Sequence, residues 1–259
     1  MKIMCITSPK GGCGASFCAA NLANVLSQMG SKCLLADLGF RNASLDVILG
    51  LTDGFVFNLS DVLKSRCKFD DAIVREVNGK NIDFASTSTL ETANEANCTK
   101  ILTLLKDSGS AYDYIIADIP INSLNEQISE YIDTILYVTD SQRASVAILE
   151  RYVHSLDISC SKYVIVNRVV PELISDGGGV NIDDICDITG LTPIGIIPFD
   201  VEIEAYNNIG ILSTTNDDLL STREFKNIAE RINGNHVCAV DFKYKTPYYK
   251  KIKNIIYRR

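Results

Sequence analysis

Ser8-Pro9-Lys10-Gly11-Gly12-Cys13-Gly14-Ala15-Ser16 follows directly on the apolar run Ile3–Thr7 and leads into a helix-like stretch, Ser16–Met29. Three glycines within four residues, placed between a β-like run and a helical run, let the backbone pass close to a bound group and turn its N–H donors inward. Such a loop at a helix N-terminus is an anion cradle, and phosphate is its usual guest. The generic phosphate-loop pattern G-x-x-x-x-G-K-[ST] is not met, because Pro9 stands at its first glycine and Ala15 at its lysine. A tight strand-to-helix turn without a ligand is the plainer alternative.

Outward from the loop, short and nearly continuous apolar runs alternate with helical patterns, the signature of a parallel sheet covered on both faces. The predicted strands are Ile3–Thr7, Cys33–Asp37, Ile82–Ser86, Tyr114–Ile119, Thr134–Thr139, Tyr163–Asn167 and Ile194–Ile197. Ser16–Met29, Thr99–Leu105, Ser141–Leu156 and Asn181–Thr189 read as helices, with Gly30 and Gly190 where left-handed C-caps are wanted. Gly177-Gly178-Gly179 reads as a mobile loop. One strand ends in aspartate, Leu34-Leu35-Ala36-Asp37, and another carries one near its end, Tyr114-Ile115-Ile116-Ala117-Asp118, which delivers carboxylates to the sheet edge where open α/β folds bind ligands. In a phosphate-loop protein a hydroxyl at the end of the loop and an Asp at a neighbouring strand end hold Mg²⁺ between them. Ser16 and Asp118 fit those roles, although Asp also serves as an ordinary strand-end turn residue.

The chain has 259 residues, enough for one large α/β domain with a well-buried core. No apolar run reaches the ~18 residues needed to span a bilayer, and no basic segment followed by a long apolar stretch opens the sequence. A cytosolic protein is expected. Nine cysteines lie scattered without C-x-x-C spacing, which reads as reduced thiols used as small apolar residues. His154 and His236 are isolated, and no clustered His/Cys/carboxylate set points to a metal other than nucleotide-bound Mg²⁺. The net charge of −7 is uneven: from Val240 onward seven Lys/Arg face one Asp, so the tail is +6 and residues 1–239 carry −13. An acidic body makes nucleic acid an unlikely partner of the domain surface, whereas a basic end points to an anionic partner.

Taken together, Lys10-Gly11-Gly12-x-Gly14-x-Ser16, Asp37-x-Gly39-x-Arg41-Asn42, Asp118-x-Pro120 and Ile197-Pro198-x-Asp200 resemble the MinD/ParA family of deviant Walker ATPases, in order and at fitting distances across most of residues 1–215. The resemblance implies a doubly wound, mostly parallel α/β sheet of the P-loop NTPase type, with ATP and Mg²⁺ as cofactors. It implies that Lys10 is the signature lysine, reaching across a nucleotide-sandwich homodimer to the partner's phosphates, and that Asp37 positions the attacking water. Gly11, Gly12, Cys13, Gly14, Ala15, Ser16 and Phe17 would cradle the phosphates, and Asn167, Pro198 and Asp200 would meet adenine. The departure is Ala15, which stands where the family carries a second lysine that neutralises the β- and γ-phosphates. Catalysis of phosphoryl transfer is mostly positioning and charge stabilisation, and one well-placed cation can be worth about 10³–10⁵ in rate. Slow or absent hydrolysis with retained binding is expected. The CpaE/TadZ proteins of the family, which position pili, look similar in having a small residue there.

Beyond a domain over 1–238, residues 239–259 form a basic tail. On a helix starting after Pro247, Tyr248, Tyr249, Ile252, Ile255 and Ile256 share one face, and Lys250, Lys251, Lys253, Asn254 and Arg258 fall mostly on the other. That is the pattern of a basic amphipathic segment lying in an anionic membrane interface, ordered only on binding. MinD-like members of the family similarly end in a short amphipathic membrane-targeting helix. Docking on its own domain and stacking on nucleic acid are the other uses such a tail has. The expected whole is an ATP-binding dimeric switch, cytoplasmic and peripheral to the inner face of the membrane, which positions a division site, flagellum or pilus with an unidentified protein partner. A catalytically inactive scaffold and a DNA-partitioning ATPase are the alternatives.

Overall fold

The computed structural model describes residues 1–51, 56–92 and 94–238. The basic tail, with the expected membrane-binding segment 243–259, lies outside the described residues. In chain order the elements are β1 (Lys2–Thr7), α1 (Ala15–Gln28), β2 (Cys33–Asp37), α2 (Leu45–Ile48), α3 (Leu59–Leu63), β3 (Ile82–Ser86), α4 (Glu95–Ser108) and β4 (Tyr114–Asp118). There follow β5 (Thr134–Thr139), α5 (Arg143–Ser155), β6 (Ser161–Val169), α6 (Pro171–Ser175), α7 (Ile182–Thr189), β7 (Thr192–Pro198), α8 (Val201–Asn208) and α9 (Leu220–Ile232).

Among the described residues the strands form one seven-stranded sheet in the order β3-β2-β4-β1-β5-β6-β7. Every pairing is parallel. Where mostly parallel pairing was expected, the sheet is wholly so. Because successive side chains of a strand point to opposite faces, a strand covered on both sides must be apolar throughout, and β1 shows it. Ile3 and Cys5 enter one core with α4, α5 and α7, while Met4 and Ile6 enter the other with α1 and α9. The same division separates Leu34 and Ala36 from Cys33 and Leu35 in β2. The sheet is therefore doubly wound.

Two crossovers decide where chemistry can occur. β1 is flanked by β4 and β5, and the loop leaving β1 turns into α1 at the carboxyl edge. β2 pairs with β4 in a register that sets Asp37 opposite Asp118, so both strand-end carboxylates stand side by side at that edge. Gly190 ends α7 in the left-handed region, and Gly30, one residue past the C-cap of α1, has φ +94°. Gly177–Gly179 closes as a hydrogen-bonded turn, with the Gly178 N–H donating to the Leu173 carbonyl. All nine cysteines are free thiols, five of them buried.

Candidate functional site

The loop from Ser8 to Gly14 owes its path to two residues in the left-handed region, Gly12 at φ +90° and Gly14 at φ +95°. Gly14 is the N-cap of α1, no side chain caps the helix and no acidic residue occupies its first turn. The N–H groups that such a terminus leaves without intrahelical partners, together with the positive end of the helix dipole, make the loop a place for an anion. A Cβ added at Gly11 or Gly12 would meet nothing within 4 Å, so the rim of the loop faces open space. At Gly14 it would sit 2.3 Å from the Asn167 amide nitrogen. Cys13, Ala15 and Phe17 are buried beneath the rim and Ser16 is half-buried. The Phe17 ring meets Phe225 of α9 edge-on, 5.7 Å between centroids, which anchors the first turn of α1 from below.

Ser16 Oγ donates to Asp118 Oδ2 at 2.5 Å. Burial, and then the neighbouring Asp37, push the Asp118 carboxyl up to about 7 against the downward pull of the Ser16 hydroxyl. The Ser16 hydroxyl and the Asp118 carboxyl oxygens, side by side at the carboxyl edge of the sheet, make a hard oxygen donor pair suited to Mg²⁺. The residues therefore fit the cation that the resemblance implied.

Asp37 is 1% exposed. Its Oδ1 accepts from the Gly39 N–H at 2.8 Å, and its Oδ2 accepts from the Ser44 and Leu45 N–H groups, each at 2.9 Å. Burial raises its pKa, while those three donors pull the other way. The carboxylate thus shapes the 39–45 loop at the start of α2, a task its position in the sequence did not reveal.

Asn167, Pro198 and Asp200 line one cleft with Gly14 and Phe17. Asn167 Nδ2 donates to the Cys13 carbonyl at 2.8 Å, and Asp200 caps α8 by accepting from the Glu202 N–H. The same cleft holds residues the sequence reading passed over: Arg168, Phe199, Ile203, Glu204 and Asn207. A basic residue directly after the apolar part of β6, at the ligand edge of the sheet, was the available signal for Arg168. Lys10 Nζ donates to Gln142 Oε1 at 3.1 Å. Lys10 is therefore held against the residue that precedes α5.

An AAA domain family profile matches residues 1–162. The septum site-determining protein MinD of Helicobacter pylori is 31% identical over 98% of either chain. The chain belongs to the MinD/ParA family of P-loop ATPases. The MinD chain of the Aquifex aeolicus MinC:MinD cell division complex superposes with a TM-score of 0.80 at 28% identity, covering 93% of this chain and 99% of that one. MinD of Pyrococcus horikoshii, solved with Mg-ADP, shares the fold at a TM-score of 0.75 and 22% identity, over 90% and 96% of the two chains.

Within this MinD/ParA chain Ala15 is the first residue of α1 and packs into the α1–α9 core. A methyl group there leaves the first turn of α1 without the cation that the family resemblance places at this position, whereas the glycine cradle and the Ser16–Asp118 pair do not depend on it.

Proposed function

We propose that this chain is a nucleotide-state switch: it binds ATP with Mg²⁺ on the Lys10–Phe17 loop, dimerises face to face through the bound nucleotide, and turns it over slowly. The observation that carries the reading is the Ser16–Asp118 pair beside an uncapped helix N-terminus and an open glycine rim. Bound Mg²⁺, held by Ser16 and Asp118, would neutralise phosphate charge. Gly11, Gly12, Cys13, Gly14, Ala15, Ser16 and Phe17 supply the backbone cradle. Asn167, Pro198 and Asp200 form the wall for the base, and the base-side cleft they share with Gly14 supports that assignment. Lys10, which needs only to exchange Gln142 for a phosphate oxygen, serves the partner's nucleotide. Asp37 orients the attacking water with the lone pairs its backbone donors leave over.

The biological role follows from the kinship. Relatives named for septum-site determination and for a MinC:MinD complex support a spatial task for this chain, such as placing a division site, a flagellum or a pilus with a protein partner. The domain spans 1–238, and residues 239–259 serve as its attachment to the anionic inner face of the membrane. Among the described residues no helix is long and apolar enough to cross a membrane, so a peripheral mode suits the chain. Ala15 favours a second reading, a scaffold that binds nucleotide and never turns it over. Binding of Mg-ADP and Mg-ATP by calorimetry, with dimerisation followed by light scattering, tests the main proposal. Absence of binding to either nucleotide would refute the switch, and equal dimerisation of wild type and Lys10→Ala in ATP would refute the role given to Lys10.

A further inference from the structure

The end of β6 is irregular. Val166 pairs with Ile196 and Val169 with Pro198, so three steps along β6 face two along β7. The extra residue falls at Asn167 and Arg168, and bulges of this kind re-aim side chains next to functional sites. Arg168 takes φ +56°, a conformation that a long L side chain adopts only at a cost in strain.

That bulge points two consecutive side chains at two consecutive carbonyls of the glycine loop. Asn167 Nδ2 holds the Cys13 carbonyl at 2.8 Å, and Arg168 Nη1 holds the Gly12 carbonyl at 3.2 Å. The second arm of the guanidinium, Nη2, reaches Glu204 Oε1 of α8 at 2.6 Å, and its carbon lies 5.9 Å from the centre of the Phe199 ring. The Arg168 and Glu204 side chains are about half exposed, so the ion pair contributes little to stability and does not account for the strained backbone. In a planar trans peptide the C=O of one residue and the N–H of the next point in opposite directions. Holding the Gly12 carbonyl therefore aims the Cys13 N–H, and holding the Cys13 carbonyl aims the Gly14 N–H. Neither N–H donates a hydrogen bond within the described residues.

We propose that Arg168 is a positioning residue for the phosphate loop, a clasp that fixes the Gly12–Cys13 peptide with its N–H turned to the bound anion and ties that peptide to Glu204 of α8. The inference rests on the reading of the loop as a nucleotide-phosphate site. In a chain with alanine at position 15, loop shape carries more of the binding, and Arg168 supplies shape from the base side of the cleft.

The test uses full-length Arg168→Gly, Arg168→Lys and Glu204→Gln. Glycine removes the fork and relieves the left-handed strain together, which separates a positioning role from a folding one. Three readouts are needed: the melting midpoint, ¹⁵N order parameters of the Cys13 and Gly14 amides without nucleotide, and the dissociation constant of Mg-ADP. Arg168→Gly is expected to melt no lower than wild type. Its Cys13 amide should fall from the rigid range near ~0.85 to below about 0.6, with Gly14 still held by Asn167, and Mg-ADP should bind about tenfold more weakly. Arg168→Lys should recover part of that affinity, since an ammonium cannot bridge Gly12 and Glu204 as a fork does, and Glu204→Gln should lose less than Arg168→Gly. An unchanged Cys13 amide, or a melting midpoint that falls in step with affinity, would overturn the clasp. A loosened Cys13 amide in a protein whose wild type binds no Mg-ADP would uphold the clasp and refute the nucleotide reading.

Discussion

Gly14 carries two constraints at once: a left-handed backbone at φ +95° and an Asn167 amide 2.3 Å from where a Cβ would lie. Gly14→Ala is therefore expected to cost about 1–3 kcal/mol of stability from the backbone alone. It should also release Asn167 from the Cys13 carbonyl, so that Mg-ADP binding is lost along with the fall in the urea midpoint. Ala15 asks the opposite question. Ala15→Lys is expected to raise steady-state phosphate release by about 10²–10³-fold if the residue restrains catalysis alone. No gain in release would favour the scaffold reading. Of the site residues, those that end a strand or fill the glycine loop could be read from the sequence, because strand ends and glycine turns are local features. Arg168, Phe199 and Glu204 could not be read with equal ease. Their meeting depends on a bulge in β6 and on the seating of α8, and neither leaves a mark in local periodicity.

At the level of elements, all seven strands were visible as apolar runs because each is buried on both faces, and the parallel order follows from the helices between them. β6 runs to Val169, past the expected end at Asn167, since the bulge lets pairing resume beyond it. α9 was passed over, although Phe225, Ile228, Ala229 and Ile232 repeat at helical spacing and all but Ile232 are fully buried. Its polar face misled, because Glu224 is also buried, paired with Arg231 at 2.9 Å. A polar network joins α1 to the 213–215 turn. Asn21 Oδ1 accepts from Ser213 Oγ, Thr214 Oγ1 and the Thr214 N–H, at 2.9–3.1 Å. Asn21→Ala would orphan three buried donors, and a destabilisation of about 3 kcal/mol is expected by urea unfolding. On β3, burial alone would raise Asp83, but the Glu76 N–H, the Tyr112 hydroxyl and Arg75 outweigh it and hold the carboxyl below its ordinary range. A depressed folded pKa adds stability above the unfolded value near ~3.9, and that stability is lost as pH falls through the folded one. Asp83→Asn should thus lower the unfolding free energy measured in urea at pH 7 by about 1–3 kcal/mol, while the two proteins converge as pH drops below 4.

Over the whole molecule the charge is divided, −13 on residues 1–239 and +6 beyond them, and this division bears on how the switch would report its state. A single short basic segment binds an anionic surface weakly, whereas two segments held on one dimer bind with an effective concentration that multiplies the affinity by as much as about 10²–10⁴. Nucleotide-driven dimerisation would then act as the control of attachment, with the acidic body opposing any close approach of the domain itself to the same surface. Sedimentation with vesicles containing about one-third anionic lipid is expected to carry down wild type in Mg-ATP and much less of it in Mg-ADP. Lys10→Ala should remain in the supernatant with either nucleotide if the trans role of Lys10 sets the dimer. Deleting residues 243–259 should abolish sedimentation while leaving nucleotide binding intact, because the glycine loop, the Ser16–Asp118 pair and the Asn167 cleft all lie within residues 1–238. Raising salt from 0.05 to 0.5 M should release wild type, as screening shortens the reach of the basic side chains from about 14 Å to about 4 Å. Sedimentation that persists at high salt and without nucleotide would mean that apolar burial by a monomer carries the attachment. The membrane contact would then be constitutive and the loop at Lys10–Phe17 would control something else.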